Sequence, residues 1–222
     1  MTPPSLVDKF RSFIHQADFP CVGAKSALAK GTLEIIEARD IRSNWDDRRI
    51  YHGITRIVQQ YRRDRELFQS FAVIFDAPVD LDETEFEQSL WARAESLTNK
   101  DTWLGRSHDE RVSSDPENPH FSLSFGEEAF FIVGLHPNAS RPARRFERPV
   151  LVFNLHDQFE QLREQGRYER MRAKIIERDT ALAGSPNPML ARHGSVSEAR
   201  QYSGRNVAED GWTCPFSPVE RA

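Results

Sequence analysis

Residues 130–160 read FFIVGLHPNASRPARRFERPVLVFNLHDQFE. Two apolar runs, 130–135 (FFIVGL) and 150–155 (VLVFNL), have the length and the Phe/Val/Ile content of buried strands. The Arg- and Pro-rich segment 137–149 separates them as a loop. From residue 157 to 183 the apolar residues Phe159, Leu162, Tyr168, Met171, Ile175 and Ile176 fall at helical spacing, with a break expected at Gly166. Upstream, 121–125 (FSLSF) alternates with period two and joins 130–135 through a Gly126-Glu-Glu128 turn. This predicts a hairpin, hence antiparallel pairing at the centre of the sheet.

Working outward, 32–38 (TLEIIEA) and 71–75 (FAVIF) are further strand candidates. Ile50, Ile54, Ile57, Val58, Tyr61 and Phe68 line one face of a helix within 45–68. Asp82-x-x-Glu85 is a capping-box start for a helix running to about residue 97. Leu6, Phe10, Phe13 and Ile14 predict a helix over 5–16, stopped by Phe19-Pro20. An Ala-rich helix over 21–30 ends at Gly31. Residues 99–120 read as a polar loop, and 184–222 hold no evident regular element. A compact domain seldom leaves so long a segment irregular, so it either wraps a site or lies loose. The expectation is an α+β fold: one domain over 1–222, a mainly antiparallel sheet covered by helices, and a long irregular C-terminal segment.

Composition narrows the function. The 222 residues are 38% hydrophobic with 15 Phe, enough for a core without disulfides. A net charge of −4 argues against nucleic acid as a partner, since phosphate neutralisation needs a basic excess. No apolar run approaches the roughly 20 residues that span a bilayer. Residues 1–5 lack the pattern of a signal peptide, so a cytoplasmic location is expected. Cys21 and Cys214 form no C-x-x-C, which excludes a zinc ribbon, a thioredoxin-type site and covalent c-type haem. No nucleotide-binding glycine motif occurs, so any redox chemistry needs an external electron donor.

The residues that could carry chemistry cluster in the opening stretch. Each of its two strands is followed by a histidine, His136 and His156. His136 shares a face with Gly134 and Ile132. A glycine there leaves open space beside the imidazole, of the kind a flat macrocycle needs. His156 shares its face with Asn154 and Val152; if the strands are neighbours, both histidines could look into one cavity. A histidine at a strand end is more often a hydrogen-bonded or exposed residue than a ligand. Two histidines also fit catalytic zinc poorly, which wants three protein ligands, whereas one axial imidazole is sufficient for haem. Arg141, Arg144, Arg145 and Arg148 make either an anion site for propionates or a substrate carboxylate, or a solvated basic loop. Cys214 is either a thiolate ligand or a small buried hydrophobe, the commoner fate of a free cysteine. The acidic run Asp80 to Glu87 reads as a solvated helix face.

Four segments resemble the YqcI/YcgG family: FPCVGAKSALAKG, GLHPNASRPARRF, PVLVFNLHDQFEQLREQGRYERM, and HGSVSEARQYSG followed by WTCPF. The resemblance spreads over almost the whole chain. It implies a haem-dependent N-hydroxylase that uses dioxygen on a guanidino or related nitrogen. His136 matches the family's His-Pro, Arg141, Arg144 and Arg145 its Arg run, Asn154 and His156 its Phe-Asn-x-His step, and Cys214 its Cys-Pro-Phe. The expected cofactor is haem b with its iron on His136, with His156 second and Cys214 third. Gly134 and Arg141, Arg144 and Arg145 are expected to shape and neutralise its site. Asn154, His156 and Glu198 are the expected catalytic set, with Glu198 or Asp157 gripping a small guanidino or amine substrate. A ferredoxin- or flavin-type reductase is the expected electron-transfer partner, and a homodimer is left open. The competing classes are a non-catalytic haem or small-ligand binder, and a metal-dependent hydrolase built on His136, His156 and His193.

Overall fold

The computed structural model describes residues 3–190, 194–207 and 211–217. Five strands form one sheet in the order β1-β2-β5-β4-β3: β1 (Leu33–Asp40), β2 (Ser70–Ala77), β5 (Val150–Leu155), β4 (Glu128–Leu135) and β3 (Leu123–Phe125). Among the five strands only β1 and β2 pair parallel; the other three strand pairs are antiparallel. The α+β fold with its mainly antiparallel sheet is as the pattern predicts. The parallel pair follows from α3 (Asp47–Arg63), which carries the chain from β1 back to the start of β2.

Helices cover both faces. On one, α3 and α4 (Glu83–Trp103) pack Ile50, Ile54, Phe86 and Leu90 onto Phe71, Ile132, Leu151 and Phe153, all buried. On the other, α1 (Leu6–His15) and α2 (Val22–Lys30) pack Phe10, Ile14 and Ala27 with Ala72, Ile74, Leu135 and Val150. Asp82 and Glu85 close the capping box at the start of α4. That helix runs to Trp103 rather than to about residue 97. Its polar last turn holds the buried Asp101, which accepts from Tyr51 Oη at 2.5 Å and from the Gly126 amide at 2.8 Å. Gly166, with φ +63°, separates α5 (Asp157–Glu164) from α6 (Tyr168–Ala183).

The C-terminal segment contains one short helix, α7 (Ala199–Tyr202), and otherwise docks through side chains. Strand β3 pairs only with residues 128–130 of β4, leaving the rest of that edge open. The tail docks where β3 ends: Tyr202 Oη donates to the Phe130 carbonyl at 3.2 Å, and its ring stacks on Trp91 at 5.5 Å. The buried Glu87 accepts from Ser203 Oγ at 3.0 Å and from Arg205 Nε at 2.9 Å. Such a strap has no hydrophobic period, because each anchor meets a different element. Among the described residues no helix is long and apolar enough to cross a membrane.

Candidate functional site

The two histidines do not share a cavity. Strands β4 and β5 are neighbours, but antiparallel ones, with Leu135 opposite Val150 and Phe130 opposite Leu155. Each histidine follows the C-terminal end of its strand, so the pair sits at opposite ends of the sheet. Five residues of strand, about 17 Å, lie between those ends. A metal site joining His136 to His156 is thereby ruled out by geometry; His193 lies outside the described residues.

The expected opening beside His136 is also absent. A Cβ on Gly134 would lie 2.6 Å from Phe86 Cε1 and 2.9 Å from Leu90 Cδ1. Phe86 occupies the place the missing side chain leaves and stacks on His136 at 4.4 Å between ring centroids. Gly134 admits a helix, not a macrocycle. Burial pushes the His136 imidazole below its ordinary pKa, which keeps it neutral.

The arginine loop is committed within the protein rather than gathered as an anion site. Arg141 pairs with Asp179 and donates to the Ser185 carbonyl at 3.0 Å. Arg144 donates to the carbonyls of Gly134 (3.0 Å), Tyr202 (3.0 Å) and Gln201 (2.9 Å), tying the tail to β4. Desolvation draws its guanidinium down to about 10. Arg145 donates to the carbonyls of Ala139 (3.0 Å) and Ser140 (3.2 Å). The thiol of Cys214 is buried in the core with Trp91 and Phe216, and desolvation pushes it up to about 12, away from thiolate chemistry. It behaves as the small hydrophobe.

The end of the sheet that carries His156 is different. Its backbone amide donates to the Ala129 carbonyl at 2.8 Å, which fixes the turn from β5 into α5. The imidazole is buried, with Nδ1 3.8 Å from Glu160 Oε1 and Nε2 3.9 Å from Glu198 Oε2. It lines a cavity of about 270 Å³ together with Asp109, Arg111, Val112, His120, Asp157 and Glu160. Asp157 accepts from Tyr61 Oη at 2.5 Å, Arg65 at 2.6 Å and Gln161 at 3.0 Å. Burial alone would raise its carboxyl; those donors outweigh it and hold the group below the usual range. Burial acts likewise on Asp109 and is outweighed by Arg111, whose Nη2 lies 2.6 Å from Asp109 and 2.6 Å from Glu128.

Of the expected catalytic set, the structure places His156 in this cleft and Glu198 beside it, 3.9 Å from its Nε2; Asp157, the alternative substrate anchor, lines the cleft. Asn154 stands one step back on the sheet face, where its Oδ1 accepts from Ser70 Oγ at 2.8 Å. Sequence reading missed Tyr61, Asp109, Arg111, His120 and Glu160. Glu160 was findable, since i,i+4 from His156 puts it one helical turn on. The loop residues carried no local signal.

A haem can be tested against these residues directly. At His136 it does not fit, because Phe86 fills the space. The His156 cavity lies below the roughly 300 Å³ at which small-molecule sites usually begin, so it suits a substrate and not a porphyrin. Beside it, part of the face of β4 and β5 turned toward α2 is half-buried, while Leu135 and Val150 on the same face are fully buried. Phe131, Val133, Val152 and Asn154 lie on central strands yet are only half-buried, while their neighbours Phe130, Ile132, Leu151 and Phe153 are fully buried against α3 and α4. His156 follows Val152 and Asn154 on that face. Of the candidate ligands, the buried His156 imidazole beside these half-buried residues is the one that could hold the group.

No curated protein and no solved structure matches the chain. The family model described as YqcI/YcgG matches residues 10–217, nearly the full length, and the chain belongs to the YqcI/YcgG family.

Proposed function

We propose that the chain is a haem-dependent enzyme that uses dioxygen to hydroxylate a nitrogen of a small guanidino or amine substrate held in the His156 cleft. One observation supports the substrate half: three carboxylates, Asp109, Asp157 and Glu160, line the cavity, with Arg111 the guanidinium among the lining residues and Arg65 and Arg163 pairing with Asp157 and Glu160 from outside it. Carboxylates turned to the cavity favour a cation of modest size. The haem half is supported by the family resemblance; His156 is taken as the ligand candidate because Phe86 closes the space beside His136.

In this reading His156 would hold the iron. When bound, the haem supplies the activation of dioxygen and the transfer of one oxygen atom to nitrogen. The chain does the rest. Glu198 orients the imidazole from 3.9 Å, as carboxylates beside metal-bound histidines commonly do. Glu160 and Asp157 draw in the cationic nitrogen, and the wall formed by Val112 and His120 limits water around it. Electrons come from an external ferredoxin- or flavin-type reductase. A reducing, cytoplasmic location belongs to the same proposal, consistent with two free cysteines.

A second reading, non-catalytic binding of the same small cation, is favoured by the size of the cleft, which admits the cation alone. Turnover separates the two. Haem-loaded protein given dioxygen, a reductant and guanidino compounds should yield an N-hydroxylated product detectable by mass. Haem loading without product would leave only the binding reading, and absence of haem uptake would remove the haem reading.

A further inference from the structure

We infer that the His156 cleft selects a small organic cation that carries no carboxylate of its own, a simple alkylguanidine or alkylamine rather than an amino acid, and that Glu128 enforces this choice through Arg111. This narrows the substrate half of the proposed function and rests on it. A site for an amino acid needs two opposite partners: a carboxylate for the cationic end and an available cation for the carboxylate end. The cleft supplies the first and has spent the second.

Arg111 is the one guanidinium among the described residues that line the cavity. It is already shared among three carboxylates. Its Nε donates to Asp109 Oδ1 at 2.8 Å and its Nη1 to Asp157 Oδ1 at 3.3 Å. Its Nη2 donates to Asp109 Oδ2 and to Glu128 Oε2, at 2.6 Å each. Asp109 thus occupies the Nε–Nη2 edge in the bidentate manner that an incoming carboxylate would use. The arginines just outside the cavity are committed in the same way. Arg65 Nη2 donates to Asp157 Oδ2 at 2.6 Å, and Arg163 pairs with Glu160. Glu198 adds a further carboxylate from the tail, 3.9 Å from His156 Nε2. A ligand's carboxylate would enter among anions and find the fork of Arg111 taken. A cation meets carboxylates that are kept ionised, because their donors hold Asp109 and Asp157 below the usual range.

Glu128 stands outside the cavity lining and acts as a positioning residue. It is held by Arg62 Nε at 2.9 Å and in turn holds Arg111 Nη2. Glutamine at this position keeps the shape and the acceptor oxygen while removing one anion from Arg111.

Calorimetric titration of the whole chain with arginine and with n-butylguanidine tests the inference. The two ligands have the same net charge, so general attraction of positive charge does not separate them; only arginine brings a carboxylate. Butylguanidine should bind about tenfold tighter or more, since like charges brought together in a site are costly. In Glu128→Gln, with circular dichroism unchanged, arginine should gain about threefold or more relative to butylguanidine. A smaller or reversed preference in the native chain, or an unaltered ratio in folded Glu128→Gln, would overturn the inference while the haem-dependent reading stands. Binding of neither ligand to the native chain would overturn both the inference and the cation site of the proposed function.

Discussion

Replacing Gly134 by alanine asks directly whether space exists beside His136. The added methyl would lie 2.6 Å from Phe86 Cε1, 2.9 Å from Phe86 Cζ and 2.9 Å from Leu90 Cδ1. Favourable carbon contacts lie near 3.5–4.0 Å, so about 1 Å of overlap must be relieved. Phe86 cannot swing aside easily: it is fully buried and stacked on His136. Overpacking of this kind costs about 2–3 kcal/mol. Loss of glycine's freedom in the unfolded chain returns about 0.5–1 kcal/mol. The net loss is about 1–2.5 kcal/mol, which in a domain of this size lowers Tm by roughly 2–10 °C. Thermal melts followed by circular dichroism read it, and Phe86→Leu in the same chain should recover part of the loss as a coupling energy. An unchanged or raised Tm for Gly134→Ala would refute the packing account and restore an open slot at His136.

Other outcomes follow from the same geometry. Asp47 and Arg93 form a buried pair with Ser96 joined to it; Asp47→Ala should cost about 3–5 kcal/mol in urea unfolding, because it strands the Arg93 charge. Asp157 has a folded pKa below its unfolded one, so its contribution to stability is present above the unfolded value, about 4, and is lost as pH falls through the folded value. Asp157→Asn should therefore flatten the fall of Tm between pH 5 and 3, and an unaltered slope would show that the network is not coupled to folding. Tyr202→Phe removes the hydroxyl from the Phe130 carbonyl and should cost about 1 kcal/mol, with faster proteolysis of the tail; equal cleavage rates would mean the strap is held elsewhere.

The fold was legible wherever one periodicity dominates. Strand β5 matches the predicted 150–155, the Asp82/Glu85 capping box starts α4, and Gly166 breaks the last long helical stretch. The last turn of α4 was illegible because Asp101, a polar residue, is held by Tyr51 and Gly126 from distant elements. The site was legible as residue types and not as placement. His136 and His156 look equivalent in sequence, each just beyond a strand, and antiparallel pairing alone sends them to opposite ends. Gly134 looks like room because a sequence cannot show Phe86 arriving from another helix. The arginines look like an anion trap because their partners are mostly backbone carbonyls, which no sequence pattern marks.

Absorption spectra of the purified chain from haem-replete cells, before and after dithionite and carbon monoxide, bear most directly on the proposed haem at His156. The account predicts a Soret band in the native chain, its retention in His136→Asn and its loss or marked shift in His156→Ala. A colourless protein, or a band that survives His156→Ala and disappears in a folded His136→Asn variant, would contradict it.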